Sequence, residues 1–397
     1  MKSIGGIMME QSLQKECEVN RAVLSRSELW YWLCNIEGIG HKKISELLCY
    51  FDTVNRIYDA TKEELQLLSK LSEADVTRIL ECRDFNRIKK EYADMERKGY
   101  RFISIEDSSY PKKLRTLYDP PYGIYLNGKL PKENVLTIGI VGARNCSQYG
   151  KEVAKYFAYH LAEAGVQIIS GLARGIDGYA HEGALCAKGY TLGVLGSGVD
   201  YCYPSENMDL YMKMEQEGGV LSECSLGTPP KAGNFPRRNR LISGMCDGIL
   251  VVEARLKSGS LITVDQALEQ GRDVFAIPGR ITDNLSSGTN NLIKMGAEIV
   301  TTPQEILEFY KSRYEQEECI EEKRNVVNEI GGNPLVEASL GKEEKMVYTV
   351  LSLEPLHIDR IAERTNLSIP KLMSTLITME LKGYISQTIK NYYTRSI

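Results

Sequence analysis

Between residues 135 and 300 the chain alternates short, continuously apolar runs with longer amphipathic stretches, and no other sequence feature restricts its fold as tightly. The runs lie at 135–141 (VLTIGIV), 166–170, 190–195, 219–222, 248–253 and 273–277, with a last short one at 297–300. Helical spacing fills the intervals near 149–164, 177–188, 205–217, 237–245, 260–270 and 287–295. Strands that are apolar at consecutive positions are buried on both faces. Strand–helix–strand order with such strands predicts an α/β domain, a Rossmann-like parallel sheet with helices on both sides. Ligands of an open parallel sheet bind beyond the carboxyl ends of its strands, so the loops there are the place to look for function.

The 397 residues exceed one small core, and the sequence divides accordingly. Residues 1–26 are polar, without the apolar stretch of a signal peptide, and read as a disordered leader. The block 27–105 shows helical spacing at Leu29, Trp32, Leu33 and Ile36, then Ile44, Leu47 and Leu48, around Gly38-Ile39-Gly40-His41-Lys42-Lys43. A second apolar set follows at Leu65, Leu68, Leu71, Val76, Ile79 and Leu80. The block reads as a SAM or helix-hairpin-helix-like unit, whose G-x-G turn either grips a phosphate through backbone N–H groups or only packs. The tract 110–128, with Pro111, Pro120 and Pro121, is expected to exclude helix and to run extended into the sheet domain at 106–310. A charged linker at 311–341 holds four cations against seven carboxylates.

The strand-end loops carry glycine, hydroxyls and arginine. Gly142 and Arg144 follow the first run, and Ser170, Gly171, Arg174 and Gly175 follow the second. Gly196 and Gly198 follow the third, and Ser258, Gly259 and Ser260 open the helix after 248–253. Small residues let a backbone approach an anion, and a helix N-terminus attracts one. Ser286 to Asn290 opens another such helix. Asp177 reads as an N-cap or a catalytic acid, and His181, one turn on, as a helix-face histidine or a ligand contact. The densest positive stretch is Lys231 to Arg240, with Lys231, Phe235, Arg237, Arg238, Asn239 and Arg240. An aromatic among arginines offers a single strand both a stacking face and backbone donors. At least one of these arginines is expected to pair with a carboxylate and hold the fold. The net charge of −4 makes any nucleic-acid site a local patch.

The first strand turn is not G-x-G-x-x-G, the second strand ends in Ser170 rather than an acid, and no P-loop motif occurs. These absences remove the usual dinucleotide and ATPase readings. The runs VGARNCSQYG, SGLARGIDGYAH, GSGVDYCYPSEN, FPRRNRLISG, VVEARLKSGSLIT and FAIPGRITDNLSSGTNNLI, in that order, resemble the DNA-processing protein A (DprA/Smf) family. Ala143 departs from the serine common at that place. The resemblance implies a homodimer that binds single-stranded DNA and hands it to the RecA recombinase in natural transformation, with no cofactor, metal or established catalysis. It makes Arg144, Lys231, Phe235, Arg237, Arg238 and Arg240 the leading DNA candidates. On this reading, replacing Arg238 and Arg240 together with Glu cuts single-strand binding and leaves the fold intact.

A competing reading is a nucleotide-binding or nucleotide-hydrolysing enzyme of the lysine-decarboxylase-like class. That class carries its catalytic glutamate in P-G-G-x-G-T-x-x-E, and here Pro278-Gly279-Arg280 and Gly288-Thr289 lack it. The block 342–397 resembles a winged helix: a helix at 343–353, a second starting at His357, a third behind Ser368 and Pro370, and wing strands near 383–385 and 392–393. Its eight cations against six carboxylates are weak for duplex binding, and a protein partner is an equal reading. Ten cysteines without a C-x-x-C pair fit reduced thiols in a cytoplasm, and no run is long enough to span a membrane.

Overall fold

The computed structural model describes residues 23–313, 340–351, 355–365, 367–389 and 391–395. Most of the expected leader (1–22) and linker (314–339) lies outside them. The chain forms two compact units, Met1–Leu307 and Glu308–Ile397.

Among the described residues of the first unit, six helices come before any strand: α1 (Arg26–Asn35), α2 (His41–Phe51), α3 (Val54–Asp59), α4 (Lys62–Gln66), α5 (Glu73–Glu81) and α6 (Phe85–Arg97). Capping boxes at Ser25/Glu28, Thr61/Glu64 and Ser72/Asp75 satisfy the first N–H groups of α1, α4 and α5 and so fix where they begin. Leu29, Leu33, Ile44, Leu47, Leu65, Val76 and Ile79 share one core, as their spacing predicts. That core continues into the sheet. Tyr31 meets Phe102 and Tyr125 edge-on at 5.5 and 6.3 Å, and Asn35 donates to the Tyr125 hydroxyl at 2.6 Å.

The sheet begins before the boundary expected at residue 106. Strand β1 (Arg101–Ser104) pairs antiparallel with β2 (Gly123–Gly128), which pairs antiparallel with β6 (Gly219–Ser222). The proline-rich tract therefore supplies β2, the strand next to the edge strand β1, and it also holds a helical turn, α7 (Lys112–Arg115). Pro111 stands at the N-cap of α7, where its missing N–H costs nothing, so it permits the helix that an interior proline would break. The remaining strands are parallel: β3 (Thr137–Val141), β4 (Gln167–Ser170), β5 (Thr191–Leu195), β7 (Gly248–Val251), β8 (Asp273–Ala276) and β9 (Glu298–Ile299). Their connections are α8 (Gln148–Glu163), α9 (Ile176–Cys186), α10 (Met208–Glu217), α11 (Asn234–Met245), α12 (Gly259–Glu269) and α13 (Ser287–Lys294). Neighbouring strand residues point to opposite faces and choose different partners. Val194 and Leu221 pack with Leu241 and Ile242 of α11, whereas Leu195 and Val220 pack with Leu210 and Met214 of α10.

The order β1-β2-β6-β5-β4-β3-β7-β8-β9 means that the chain winds outward from β3, then returns to place β7 on its other side. The β3/β7 boundary is the point of reversal, where two loops diverge and leave a crevice.

The second unit holds α15 (Lys342–Val350), β10 (Leu356–His357), α16 (Ile358–Thr365), α17 (Ile369–Leu381), β11 (Ile385–Ile389) and β12 (Tyr392–Arg395), after the helical residues 303–313 (α14) that lead into it. His357 lies in β10, so the second helix starts one residue later than expected. Val347, Leu351, Ile361, Leu372, Leu376, Met379 and Tyr393 close a separate core. Lys371, the cation of the third helix, is paired with Glu343.

Candidate functional site

A cleft of about 670 Å³ opens at the strand reversal. Its floor and one wall come from the loop after β3 (Gly142, Ala143, Arg144, Asn145) and from Ala173 and Asp177 after β4. The facing wall comes from Arg255 and Lys257 after β7 and from Ser258, Gly259 and Ser260 at the start of α12. Phe235, Arg238 and Asn239 of α11 and Tyr203 also line it. Arg144, Arg238, Arg255 and Lys257 stand against one carboxylate, Asp177. Arg144, Arg255 and Lys257 are exposed and, among the described residues, make no ion pair. Phe235 lies 5.7 Å from the Tyr203 ring, with the Arg144 guanidinium 5.2 Å from its centroid. The result is a positive cleft with an aromatic wall.

Helix α11 starts at Asn234, so the basic run Lys231–Arg240 is mostly helix rather than loop, and its arginines diverge around the helix. The Arg238 side chain is buried and donates to the Gly171 and Val194 carbonyl oxygens, with Asp177 beside it. Burial pulls its pKa down to about 10, so it remains a cation at neutral pH, and burial pushes the Asp177 carboxyl up against the opposing pull of Arg238. Arg240 is 5% exposed and bound to both Glu223 oxygens at 2.9 Å and to Asp119 at 3.0 Å. Arg237 is exposed and shares Glu223 at 3.0 Å. The expectation that replacing Arg238 and Arg240 leaves the fold intact is therefore corrected, because both guanidinia tie helix α11 to its neighbours.

Most of the loop groups expected to receive an anion already have partners. At the N-terminus of α8 the Glu253 carboxylate accepts from the Ser147 N–H at 2.8 Å and from its hydroxyl, and a Cβ on Gly150 would lie 2.3 Å from that carboxylate. The anion at this helix start is the protein's own. Ser170 is wholly buried and donates to the Ile140 carbonyl at 2.5 Å. Gly171 passes so close to Arg238 and Asp177 that a Cβ would lie 2.6 Å from each. Gly175 has φ +82° and is itself the N-cap of α9, so Asp177 is not a cap; its carboxylate accepts the Gly171 N–H at 3.1 Å. Arg174 is exposed and bound by Glu206. Gly196 accepts from Asn234 at 3.0 Å, and Gly198 donates to Thr228 at 2.9 Å. At α13 the Gly288 N–H donates to Ala254 at 2.8 Å. The start of α12 differs. Ser258 caps it through the Ser260 N–H at 3.4 Å, Gly259 is exposed, and no carboxylate lines the cleft there.

Of the seventeen residues named from sequence, the cleft thus gathers Gly142, Arg144, Phe235, Arg238, Asn239, Ser258, Gly259 and Ser260. Ser170, Gly171, Arg174, Gly175, Gly196, Gly198, Lys231, Arg237 and Arg240 lie outside its lining. Arg255, Lys257 and Tyr203 were missed, although two cations between a strand end and a helix-capping serine are a readable signal. His181 is fully buried with Nδ1 2.6 Å from the Thr191 hydroxyl, and burial followed by Arg238 holds its pKa near 3. It is a core histidine, not a ligand contact. In the G-x-G turn, Lys43 donates to the Gly38 carbonyl at 2.9 Å and pairs with Asp75, whose pKa falls to about 2 chiefly through that lysine and Ser72.

The family model of DNA recombination-mediator protein A matches residues 101–311, just over half of the chain, and a DprA winged helix domain matches residues 333–388. The chain is 38% identical over 299 residues to Protein Smf of Escherichia coli K12, covering 75% of this chain and 78% of that one. It is 40% identical over 230 residues to the DNA processing protein DprA of Bacillus subtilis, covering 58% and 77%. The X-ray structure of DNA processing protein A from Streptococcus pneumoniae aligns with TM-score 0.63 and 35% identity, over 72% of this chain and 98% of that one. With the switch-point cleft built from those matched residues, the chain belongs to the DprA/Smf family of DNA-processing proteins.

Proposed function

We propose that the cleft holds single-stranded DNA, with the protein acting as a DNA-processing binding protein rather than an enzyme. The observation that carries this is the combination of four cations against one carboxylate with the Phe235–Tyr203 aromatic wall. Arg144, Arg255 and Lys257 take phosphates, the open N-terminus of α12 takes another through Ser258, Gly259 and Ser260, and bases stack on Phe235. Family membership supports the further steps, delivery of the strand to RecA in transformation by a cytoplasmic homodimer.

The test is fluorescence anisotropy with labelled oligo-dT. Arg144→Glu combined with Lys257→Glu lowers affinity by a hundredfold or more, on the order of 1.4 kcal/mol per tenfold step. Log affinity falls with log salt by about 0.7 per phosphate contact. Wild-type affinity in the double variant, with an unchanged melting curve, refutes the reading. The cleft volume also suits a small nucleotide. Against hydrolysis stands the lining's one carboxylate, Asp177, which is engaged by Gly171 and Arg238. Release of free base from nucleoside monophosphates would establish the enzymatic reading instead.

A further inference from the structure

Cations also stand beyond the cleft, beside one carboxylate, Glu223. A second crevice, of about 290 Å³, lies where the Gly38–Gly40 turn of the N-terminal helices meets the sheet. One segment separates the two. Pro230, Ala232, Phe235 and Pro236 line the cleft, Lys231, Asn234 and Arg237 line the crevice, and Arg238 borders both.

The crevice contains the end of an aromatic stack. Trp30 lies parallel to Tyr122 at 5.9 Å, and Tyr122 parallel to His41 at 4.8 Å and 22°. His41 is the last ring of this stack and lines the crevice, while its Nε2 is buried without a hydrogen-bond partner among the described residues. Cations stand opposite. Lys231 is exposed and makes no ion pair among the described residues. Arg237 is 56% exposed, and its partner Glu223 is held through both oxygens by Arg240, so Arg237 can leave without stranding a buried carboxylate. A crevice of this size is at the lower end of small-ligand sites, which run from roughly 300 Å³ upward.

We propose that this crevice is a second nucleotide subsite, taking one base onto the Trp30–Tyr122–His41 stack and its phosphate onto Lys231 and Arg237. Histidine is one of the rings on which single-strand binders stack splayed bases. The subsite rests on the cleft being the single-strand site, because a strand leaving the cleft across the 231–238 segment enters it. A nucleotide unit has two sources, that strand or a free nucleotide, and the recognition chemistry is the same for both.

The experiment uses the full chain, anisotropy with a ladder of oligo-dT lengths, and thermal shift with dTMP. Wild type gains affinity as the oligomer outgrows the cleft. His41→Ala loses about tenfold of that gain, the size of one base stack, while binding of the shortest oligomers and the melting temperature stay at wild-type values. His41→Phe restores the gain, and Lys231→Ala reports on the phosphate contact independently should His41→Ala fail to fold. A melting shift with dTMP that His41→Ala abolishes, at unchanged oligomer affinity, assigns the subsite to a free nucleotide. Wild-type behaviour of both His41→Ala and Lys231→Ala at every length and with dTMP overturns the proposal. Arg144→Glu separates the two readings: if it leaves short-oligomer binding intact, the cleft assignment has failed instead.

Discussion

Arg237, Arg238 and Arg240 stand within four positions of one helix, and the helix sends them to three environments. Arg237 reaches solvent, Arg238 enters the sheet's carboxyl edge, and Arg240 closes on Glu223 and Asp119. Their shared sequence context made them equal candidates, but burial separates them. Removing Arg240 breaks a buried ion pair and leaves Glu223, 18% exposed, to Arg237 alone, at a cost of up to about 3–5 kcal/mol. Arg240→Ala is therefore expected to lower the urea midpoint strongly, and any loss of DNA binding follows from unfolding. Arg144→Ala shows the opposite pattern, with stability unchanged within about 0.5 kcal/mol and single-strand affinity reduced. Urea titration and anisotropy on the same samples distinguish them, and equal stability of the two variants would contradict the burial argument.

At the level of elements, four helix starts were candidate anion sites from their glycine and serine content, and they differ in what already occupies them. The start of α8 is closed by Glu253, that of α9 lies under Arg238 and Asp177, and that of α13 docks against Ala254. Only the start of α12 opens into the positive cleft without a carboxylate. Ser260→Asp tests this asymmetry. A carboxylate in the first turn of a helix stabilises it by about 0.3–1 kcal/mol, yet here it occupies the place of a phosphate. Thermal stability should hold or rise while oligo-dT affinity falls, and an affinity equal to wild type would remove α12 from the site. No sequence pattern distinguishes these four helix starts, because the occupant of each comes from a distant part of the chain.

At the scale of the whole molecule, the buried His181 ties stability to pH. Its native pKa near 3 lies below an unfolded value of about 6.5. Between those values the unfolded chain binds a proton that the native state refuses, so stability is lost as pH falls below about 6.5, by up to about 1.4 kcal/mol per pH unit. Asp177, raised by burial, acts in the opposite sense nearer its own unfolded value. His181→Gln should flatten the dependence of the urea midpoint between about pH 5 and 6.5; a slope equal to wild type excludes this histidine as the source. The second unit has its own core and its third-helix cation is paired, so ending the chain at residue 307 is expected to retain oligo-dT binding by the first unit. Anisotropy with the truncated chain checks this.

The sequence by itself determined the parallel α/β class, the positions of its strands and helices to within a few residues, the helical flanks and the family. All of these depend on local periodicity, capping and contiguous motifs. Gly142, Arg144, Phe235 and Ser258 to Ser260 were legible for the same reason, standing at strand ends and helix starts that any parallel sheet must expose. The antiparallel edge β1–β2 was not legible, because Pro111 and Pro120 suggested an extended crossing between domains and only pairing with β1 and β6 makes 123–128 a strand. Which arginines face the cleft was decided by tertiary structure alone. Asp177, Glu223 and Glu253 claim the available donors from across the fold, and a buried charge goes where a distant partner can compensate it.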